Sequence, residues 1–122
     1  MTGYRVQEIP EPRARVVMLR ADLDRDLADR LRPVLAEATA AGRDVVIDMH
    51  GAGIIDSAGL GLLVRAYRSA RSHGRAFCLV APSRFVLTVL HTMHLDGLFP
   101  IHPDVDSALT RTVMCTGANI RR

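Results

Sequence analysis

Short, nearly continuous apolar runs alternate along this chain with segments in which apolar residues recur every three or four positions. The short runs predict buried strands, because a strand covered on both faces of a sheet is apolar throughout. The recurring spacing predicts amphipathic helices between those strands. The predicted elements, in chain order, are an edge strand at Tyr4–Ile9, a strand at Arg15–Arg20, a helix that starts after Asp24 and stops at Gly42, a strand at Asp44–Met49, a helix at Ser57–His73, a strand at Phe77–Ala81, a helix opened by Pro82 and Ser83, a short strand at Phe99–His102 and a final helix at Asp104–Thr112.

Strands that alternate with helices are typical of an α/β domain with a largely parallel sheet. We therefore expect one domain with a mostly parallel central sheet of four to five strands and about four helices. It is expected to span residues 1–112, with residues 113–122 as a flexible tail because that segment lacks periodicity. Pro33, inside the first helical pattern, predicts a kink or a late start of that helix.

A single serine lies where a predicted strand and its loop turn into a helix. Ser57 follows Asp56 and precedes Ala58 and Gly59. The backbone N–H groups at a helix start lack helical partners, and the helix dipole favours negative charge there. This position suits a phosphate held covalently on Ser57. The residues alone favour a simpler alternative, in which Ser57 is the N-cap of the helix. Asp56 either caps the helix or guides a kinase.

Four segments resemble, in the same order, the STAS family, the domain of anti-sigma factor antagonists and sulphate transporters. Asp-Ser-Ala-Gly-Leu-Gly at Asp56–Gly61 resembles the antagonists' Asp-Ser-Ser/Thr-Gly-Leu-Gly, whose first serine is phosphorylated by a partner kinase. The other segments are Leu19–Asp24, which resembles Leu-x-Gly-Glu-Leu-Asp, Val89–Phe99, which resembles the passage from the third helix to the last strand, and Asp106–Leu109, which resembles the family's usual close. The resemblance covers the region from about Val16 to Leu109.

The resemblance implies an anti-sigma factor antagonist. Such a protein, when unphosphorylated, binds an anti-sigma factor that is also a serine kinase, and thereby frees a sigma factor. The kinase phosphorylates the position of Ser57, and a phosphatase restores the active form. The implied partner-binding residues are Asp22, Asp24, Asp56, Ser57, Ala58 and Gly59. The alternative is a constitutive STAS scaffold, a subunit of a transporter or of a stress-signalling assembly.

Two departures from the family pattern concern the region of the implied partner-binding residues. Ala58 replaces the second hydroxyl residue of the motif, and Ala21 replaces the glycine before the acidic pair. The first bears on any role that needs a second hydroxyl beside Ser57. The second bears on the turn after the first long strand, because alanine tolerates positive φ poorly.

Neither a nucleotide site nor a hydrolase site is expected around Ser57, so the predicted protein is not an enzyme and needs no cofactor. Asp56 occupies the third glycine position of a dinucleotide fingerprint, where its charge would repel a pyrophosphate. Ile55 stands where the nucleophile elbow of an esterase needs glycine. The chain contains no lysine, which excludes P-loop chemistry and receiver-domain phosphotransfer.

The remaining candidate ligands favour ordinary structural roles. His91 and His94 can share a helical face, but no third metal ligand accompanies them. Cys78 lies in an apolar run and is expected to be a buried, reduced thiol. Arg65 and Arg68 are expected on the outer face of the second helix. They form either a solvated face, which is favoured, or a binding surface.

Composition indicates the kind of partner and the compartment. The net charge is +3, the aromatic content is 4%, and the arginines are scattered, so nucleic-acid binding is not expected. No apolar run approaches the roughly 18 residues that a membrane span needs, and the first residues do not resemble a signal peptide. We therefore predict a cytoplasmic protein, a monomer or weak dimer, whose partners are other proteins.

Overall fold

The computed structural model describes residues 3–11, 13–95 and 97–110. Its elements, in chain order, are β1 (Tyr4–Ile9), β2 (Ala14–Leu19), α1 (Arg25–Ala40), β3 (Asp44–Asp48), α2 (Ser57–Ser72), β4 (Phe77–Val80), α3 (Arg84–Thr92) and β5 (Ile101–His102). A further helix, α4, covers 105–110. The predicted tail at 113–122 and the end of the predicted last helix lie outside the described residues.

The five strands form one sheet in the order β1-β2-β3-β4-β5. β1 runs antiparallel to β2, and every other neighbouring pair is parallel. The prediction of a single α/β domain with a mostly parallel sheet is confirmed. Because each parallel strand lies beside the one before it, successive right-handed crossovers return their helices to the same face of the sheet.

Apolar side chains cover both faces of the sheet. On one face, residues of β2, β3 and β4 pack against α1, α2 and α3; the fully buried members include Val17, Ile47, Leu79, Leu31, Leu63 and Leu90. On the other face, Val16, Val46, Cys78 and Val80 cluster with Ala108 of α4. Burial on two faces explains why β4 and the interior of β3, residues 45–47, are apolar throughout. Cys78 is a buried thiol outside any disulfide of the described residues, as expected.

The first helix does not start late, which was one of the two outcomes predicted from Pro33. Asp24 is the N-cap of α1, because its Oδ1 accepts a hydrogen bond from the Leu27 N–H at 2.9 Å. The helix begins at Arg25 and continues through Pro33 to Ala40, so the late start is wrong. Pro33 is tolerated inside the helix because it lies on the exposed side. Water can donate a hydrogen bond there to the carbonyl that loses its N–H partner.

Two glycines end the long helices, and Gly42 is the stop predicted above for the first of them. Gly42 has φ +74° after α1, and Gly74 has φ +69° after α2. This left-handed conformation is the usual way to stop a helix, and glycine adopts it without steric strain. The last strand is shorter than predicted, since only Ile101–His102 pair with β4. Phe99, predicted as its first residue, is buried just before it.

A buried arginine links β1, β2 and α1. Arg15 is only 8% exposed. Its Nε donates to Glu8 at 3.1 Å, and its Nη1 donates to the Val34 carbonyl and to Glu37 Oε1, both at 2.9 Å. A buried cation is tolerated when acids and carbonyls compensate it in this way. The cluster therefore fixes the start of the sheet, at the end opposite the loops described below.

The cluster makes the stability of the fold sensitive to acid. Hydrogen bonding from Arg15 lowers the pKa of Glu8 below its ordinary value, against the opposing effect of burial and with help from the charges of Arg15 and Arg43. A lowered folded-state pKa means that the ionised Glu8 stabilises the fold above the unfolded-state pKa, and that this contribution disappears as pH falls. We expect Glu8→Gln to flatten the loss of stability between about pH 5 and pH 3. Chemical denaturation at several pH values measures this.

The matched control for that measurement is Glu11→Gln, because Glu11 is also an exposed glutamate near β1 but has no ion pair within the described residues. Parallel pH profiles for Glu8→Gln and wild type would contradict the assignment.

Candidate functional site

The loop after β2 and the loop after β3 meet at the carboxyl-terminal edge of the sheet. The Leu23 N–H donates to the Ile54 carbonyl at 3.0 Å, and the Asp56 N–H donates to the Leu23 carbonyl at 3.2 Å. These bonds form an isolated parallel bridge between Leu23 and Ile55. In open α/β sheets, functional loops collect at this edge. The bridge brings the predicted acidic pair beside the predicted serine.

Asp56 holds the starts of two helices together. It is the N-cap of α2, since its Oδ1 accepts from the Gly59 N–H at 2.9 Å. Its Oδ2 accepts from the backbone N–H of Arg25, the first residue of α1, at 3.1 Å. Of the two roles predicted for Asp56, the structure shows the cap, and it adds the contact to α1 that the sequence does not reveal.

Ser57 is therefore the first residue of α2 and not its N-cap, and the simpler alternative for this serine is wrong. The physical reason is that the longer Asp56 side chain already accepts the N–H that a capping serine would take. Ser57 is exposed, and its Oγ makes no hydrogen bond to any residue within 3–11, 13–95 and 97–110. The hydroxyl is thus free, at the positive end of a 16-residue helix.

Two further side chains fix the loop that precedes Ser57. Asp22 Oδ1 accepts from the N–H groups of Gly53 and Ile54, each at 3.0 Å. Ser83, the N-cap of α3, donates from its Oγ to the Gly53 carbonyl at 2.8 Å and accepts from the Val86 N–H at 3.1 Å. Three loops are therefore joined by side-chain hydrogen bonds. Sequence reasoning predicts Ser83 only as the start of a helix, because its bond to Gly53 crosses 30 residues.

Gly59 allows the first turn of α2 to touch the loop after β2. A Cβ at this position would lie 2.4 Å from the Leu23 carbonyl oxygen and 2.7 Å from Leu23 Cγ. No side chain fits there, so the motif's first glycine is required by backbone contact. Ala58 is half-buried next to it, in the position where the family has a second hydroxyl.

The structure thus brings all six predicted partner-binding residues to one edge of the sheet. Asp22, Asp24 and Asp56 are exposed but each accepts backbone N–H bonds that shape the loops. Ser57 is exposed, whereas Gly59 is buried and Ala58 is half-buried. The acids and Gly59 therefore position the loops, whereas the exposed hydroxyl of Ser57 makes no hydrogen bond within the described residues.

Two exposed apolar side chains near Ser57 were missed by sequence reasoning. Ile54 is 50% exposed and lies three residues before Ser57. Phe85 is 47% exposed in the first turn of α3, which Ser83 ties to the Ile54 loop through Gly53. An apolar residue in a glycine-rich loop is a weak signal in a sequence, because apolar residues there are as often buried.

Because Ser57 is not the cap, replacing it should hardly change the stability of the fold. We expect Ser57→Ala and Ser57→Asp to unfold within about 0.5 kcal/mol of wild type, as surface substitutions usually do. Asp56→Ala is the informative contrast, since it removes the acceptor for both Gly59 and Arg25 and should lower the free energy of unfolding by about 2 kcal/mol. Urea denaturation compares the three variants. An equal loss for Ser57→Ala and Asp56→Ala would mean that Ser57 supports the helix start.

Among the described residues, no group of three or more His, Cys, Asp or Glu side chains could hold a metal ion. His91 and His94 are both exposed and no such cluster includes them. Within the same residues, none of the helices combines the length and the hydropathy that crossing a bilayer demands.

Comparisons with known proteins indicate one family and one fold for this chain. The STAS domain family model matches residues 5–108. The anti-sigma-F factor antagonist RsfA of Mycobacterium tuberculosis is 27% identical over 77 residues, which are 63% of this chain and 60% of that protein. An anti-sigma factor antagonist from Mycobacterium paratuberculosis superposes with a TM-score of 0.77 at 25% identity, covering 89% of this chain and 92% of that one. The Bacillus cell fate determinant SpoIIAA, in its phosphorylated form, superposes with a TM-score of 0.72 at 19% identity, covering 88% and 97%.

The chain belongs to the STAS domain family, because the family model covers most of its length. Its match spans about 60% of the curated antagonist to which it is similar. The relatives are named as anti-sigma factor antagonists.

Proposed function

We propose that this protein is an anti-sigma factor antagonist whose binding to its partner is controlled by phosphorylation of Ser57. The observation that carries the proposal is the exposed hydroxyl of Ser57 at the start of α2, without a hydrogen-bond partner among the described residues, within loops that neighbouring side chains join by hydrogen bonds. It binds an anti-sigma factor with serine kinase activity when unphosphorylated, and a phosphatase restores that state. It is a binding module and a kinase substrate. This role implies a cytoplasmic location, where sigma factors act.

The position of Ser57 allows a charge to be added without disturbing the fold. A phosphoserine adds about −1.5 to −2 charge and three acceptor oxygens. The unpaired N–H groups and the dipole at the start of α2 stabilise that charge. No buried group has to move, because Ser57 Oγ has no partner to lose among the described residues. One of the structural relatives is known in a phosphorylated form, which supports this step.

The surroundings of Ser57 suit a protein interface that a new charge would weaken. Ile54 and Phe85 supply exposed apolar area, which interfaces bury at their centre. Asp56 and Asp22 already place two carboxylates in the adjoining loops. A phosphate added here brings desolvation, bulk and like-charge repulsion to the same small area. Binding is therefore expected to switch by local electrostatics, without a large conformational change.

Mapping the phosphate tests the modified residue. We expect incubation with the cognate anti-sigma factor kinase and ATP to place phosphate on Ser57, read by mass spectrometry of peptides. Ser83 and Ser107 are the competing helix-start serines. Ser83 Oγ is engaged with Gly53, and Ser107 interacts with Asp104 through its side chain, so both are poorer acceptors.

Ser57→Ala and Ser83→Ala are matched controls for that mapping. The first should abolish incorporation, and the second should retain it. Phosphate on Ser83 or Ser107 with Ser57 unmodified would overturn the assignment.

A further inference from the structure

A groove opens between α1 and α2, away from the Ser57 loop. It has a volume of about 160 Å³ and opens to solvent. Leu35 and Ala36 of α1 and Leu62 and Ala66 of α2 line it with apolar surface, and Arg32 and Arg65 contribute their side chains as well. An apolar cavity of this size holds a ring such as benzene. The groove is thus suited to a small apolar group.

One of the two arginines carries an uncompensated charge. Arg32 pairs with Asp29 on its own helix at 3.1 Å. Arg65 forms no ion pair with any residue of the described chain, and α2 contains no acidic residue. Its guanidinium lies over Gly61, since a Cβ built on that glycine would be 3.3 Å from Arg65 Nη1. The absence of a side chain at Gly61 leaves that space to the guanidinium, which lies beside the groove that Arg65 lines.

We propose that the groove between α1 and α2 binds a small amphipathic carboxylate, with its apolar part against Ala36 and Ala66 and its carboxylate on Arg65. The apolar part of such a ligand matches the apolar lining of the groove, and its carboxylate matches the guanidinium of Arg65. Guanidinium and carboxylate form paired, charge-assisted hydrogen bonds. This inference does not depend on the phosphorylation of Ser57.

The size of the groove favours a free small acid over an acidic protein segment. A stable protein interface involves about 20–30 residues on each side. The groove is lined by eight residues and has room for one ring or a short chain. Aryl- and short alkyl-carboxylic acids fit that description, whereas a helix of a partner protein does not enter a space of this volume.

A charge series on one apolar body tests the proposal. We expect 3-phenylpropionate to shift the amide resonances of α1 and α2 around the groove in two-dimensional NMR of the full chain. The neutral alcohol 3-phenylpropan-1-ol and the cationic 3-phenylpropylamine share the same ring and chain. The acid should bind roughly tenfold more tightly than the amine, since only the acid forms the charge-assisted pair with Arg65.

Three variants distinguish the contribution of the Arg65 charge from that of the apolar groove. Arg65→Gln should weaken the acid roughly tenfold and leave the alcohol unchanged. Arg68→Gln is the matched control, because Arg68 is exposed on the same helix but does not line the groove. Ala36→Leu, at an exposed position of the groove, should fill it and abolish binding of the acid and the alcohol alike.

Several results would overturn the proposal. These are equal affinity for the acid and the amine, an unchanged affinity in Arg65→Gln, resonance shifts that map away from the groove, or no saturable shift at about 10 mM acid. Because no kinase or anti-sigma factor enters the experiment, its failure is distinct from a failure of the proposed switch at Ser57.

Discussion

Gly59→Ala is expected to cause the largest loss of stability of any single-methyl change at the site. The added Cβ would lie 2.4 Å from the Leu23 carbonyl oxygen, a backbone atom that cannot rotate away. Either α2 must move outward or the bridge between Leu23 and Ile55 must open. Overpacking of this kind lowers the free energy of unfolding by about 2–3 kcal/mol. For a domain of this length that corresponds to a fall of roughly 10 °C in the unfolding temperature.

Gly61→Ala is the matched control, one half-turn further along the same helix. A Cβ at Gly61 meets only the tip of the flexible Arg65 side chain, at 3.3 Å. Alanine is favoured over glycine in a helix interior by up to about 1 kcal/mol, so this variant should be slightly more stable than wild type. Calorimetry of the two variants gives the comparison. Equal effects would show that Gly59 serves helix propensity and not the contact with Leu23.

The strands and helices could be predicted because their signals are local. The apolar runs of β3 and β4 reflect burial on both faces, and the left-handed Gly42 and Gly74 end helices through backbone freedom that no neighbour supplies. The position of Ser57 at the start of the second helix followed from the same alternation of strands and helices. These features need no knowledge of distant contacts.

The details of the site depend on contacts that sequence patterns do not encode. Both Asp56 and Ser57 are good capping residues, so spacing could not decide between them. The backbone N–H of Arg25, 31 residues away, and that of Gly59 draw the Asp56 carboxylate into the capping position. Of the two outcomes predicted from Pro33, a kink or a late helix start, the late start is wrong for a similar reason, since the cap at Asp24 and the buried Leu27 fix the first turn.

Ser57→Asp is expected to produce the largest functional effect of any substitution, a loss of affinity for the anti-sigma factor of roughly tenfold. The added carboxylate sits beside Asp56 and close to the exposed Ile54, where repulsion and desolvation act together. Phosphoserine carries more charge than aspartate, so phosphorylated protein should lose about a hundredfold, or roughly 3 kcal/mol. Calorimetric titration of each form against the purified anti-sigma factor measures the series.

The controls for that titration test whether the loss of affinity is caused by the charge at position 57. Ser57→Asn has the shape of aspartate without its charge, and Ser57→Ala removes only the hydroxyl, so both should bind within about threefold of wild type. Ser72→Asp places the same charge at the other, exposed end of α2 and should also bind normally, because long-range effects are screened by salt. A partner that binds wild type, Ser57→Asp and phosphorylated protein with equal affinity would indicate the constitutive scaffold. Equal losses for Ser57→Asp and Ser57→Asn would mean that the interface rejects bulk at this serine, and the electrostatic basis of the switch would be wrong.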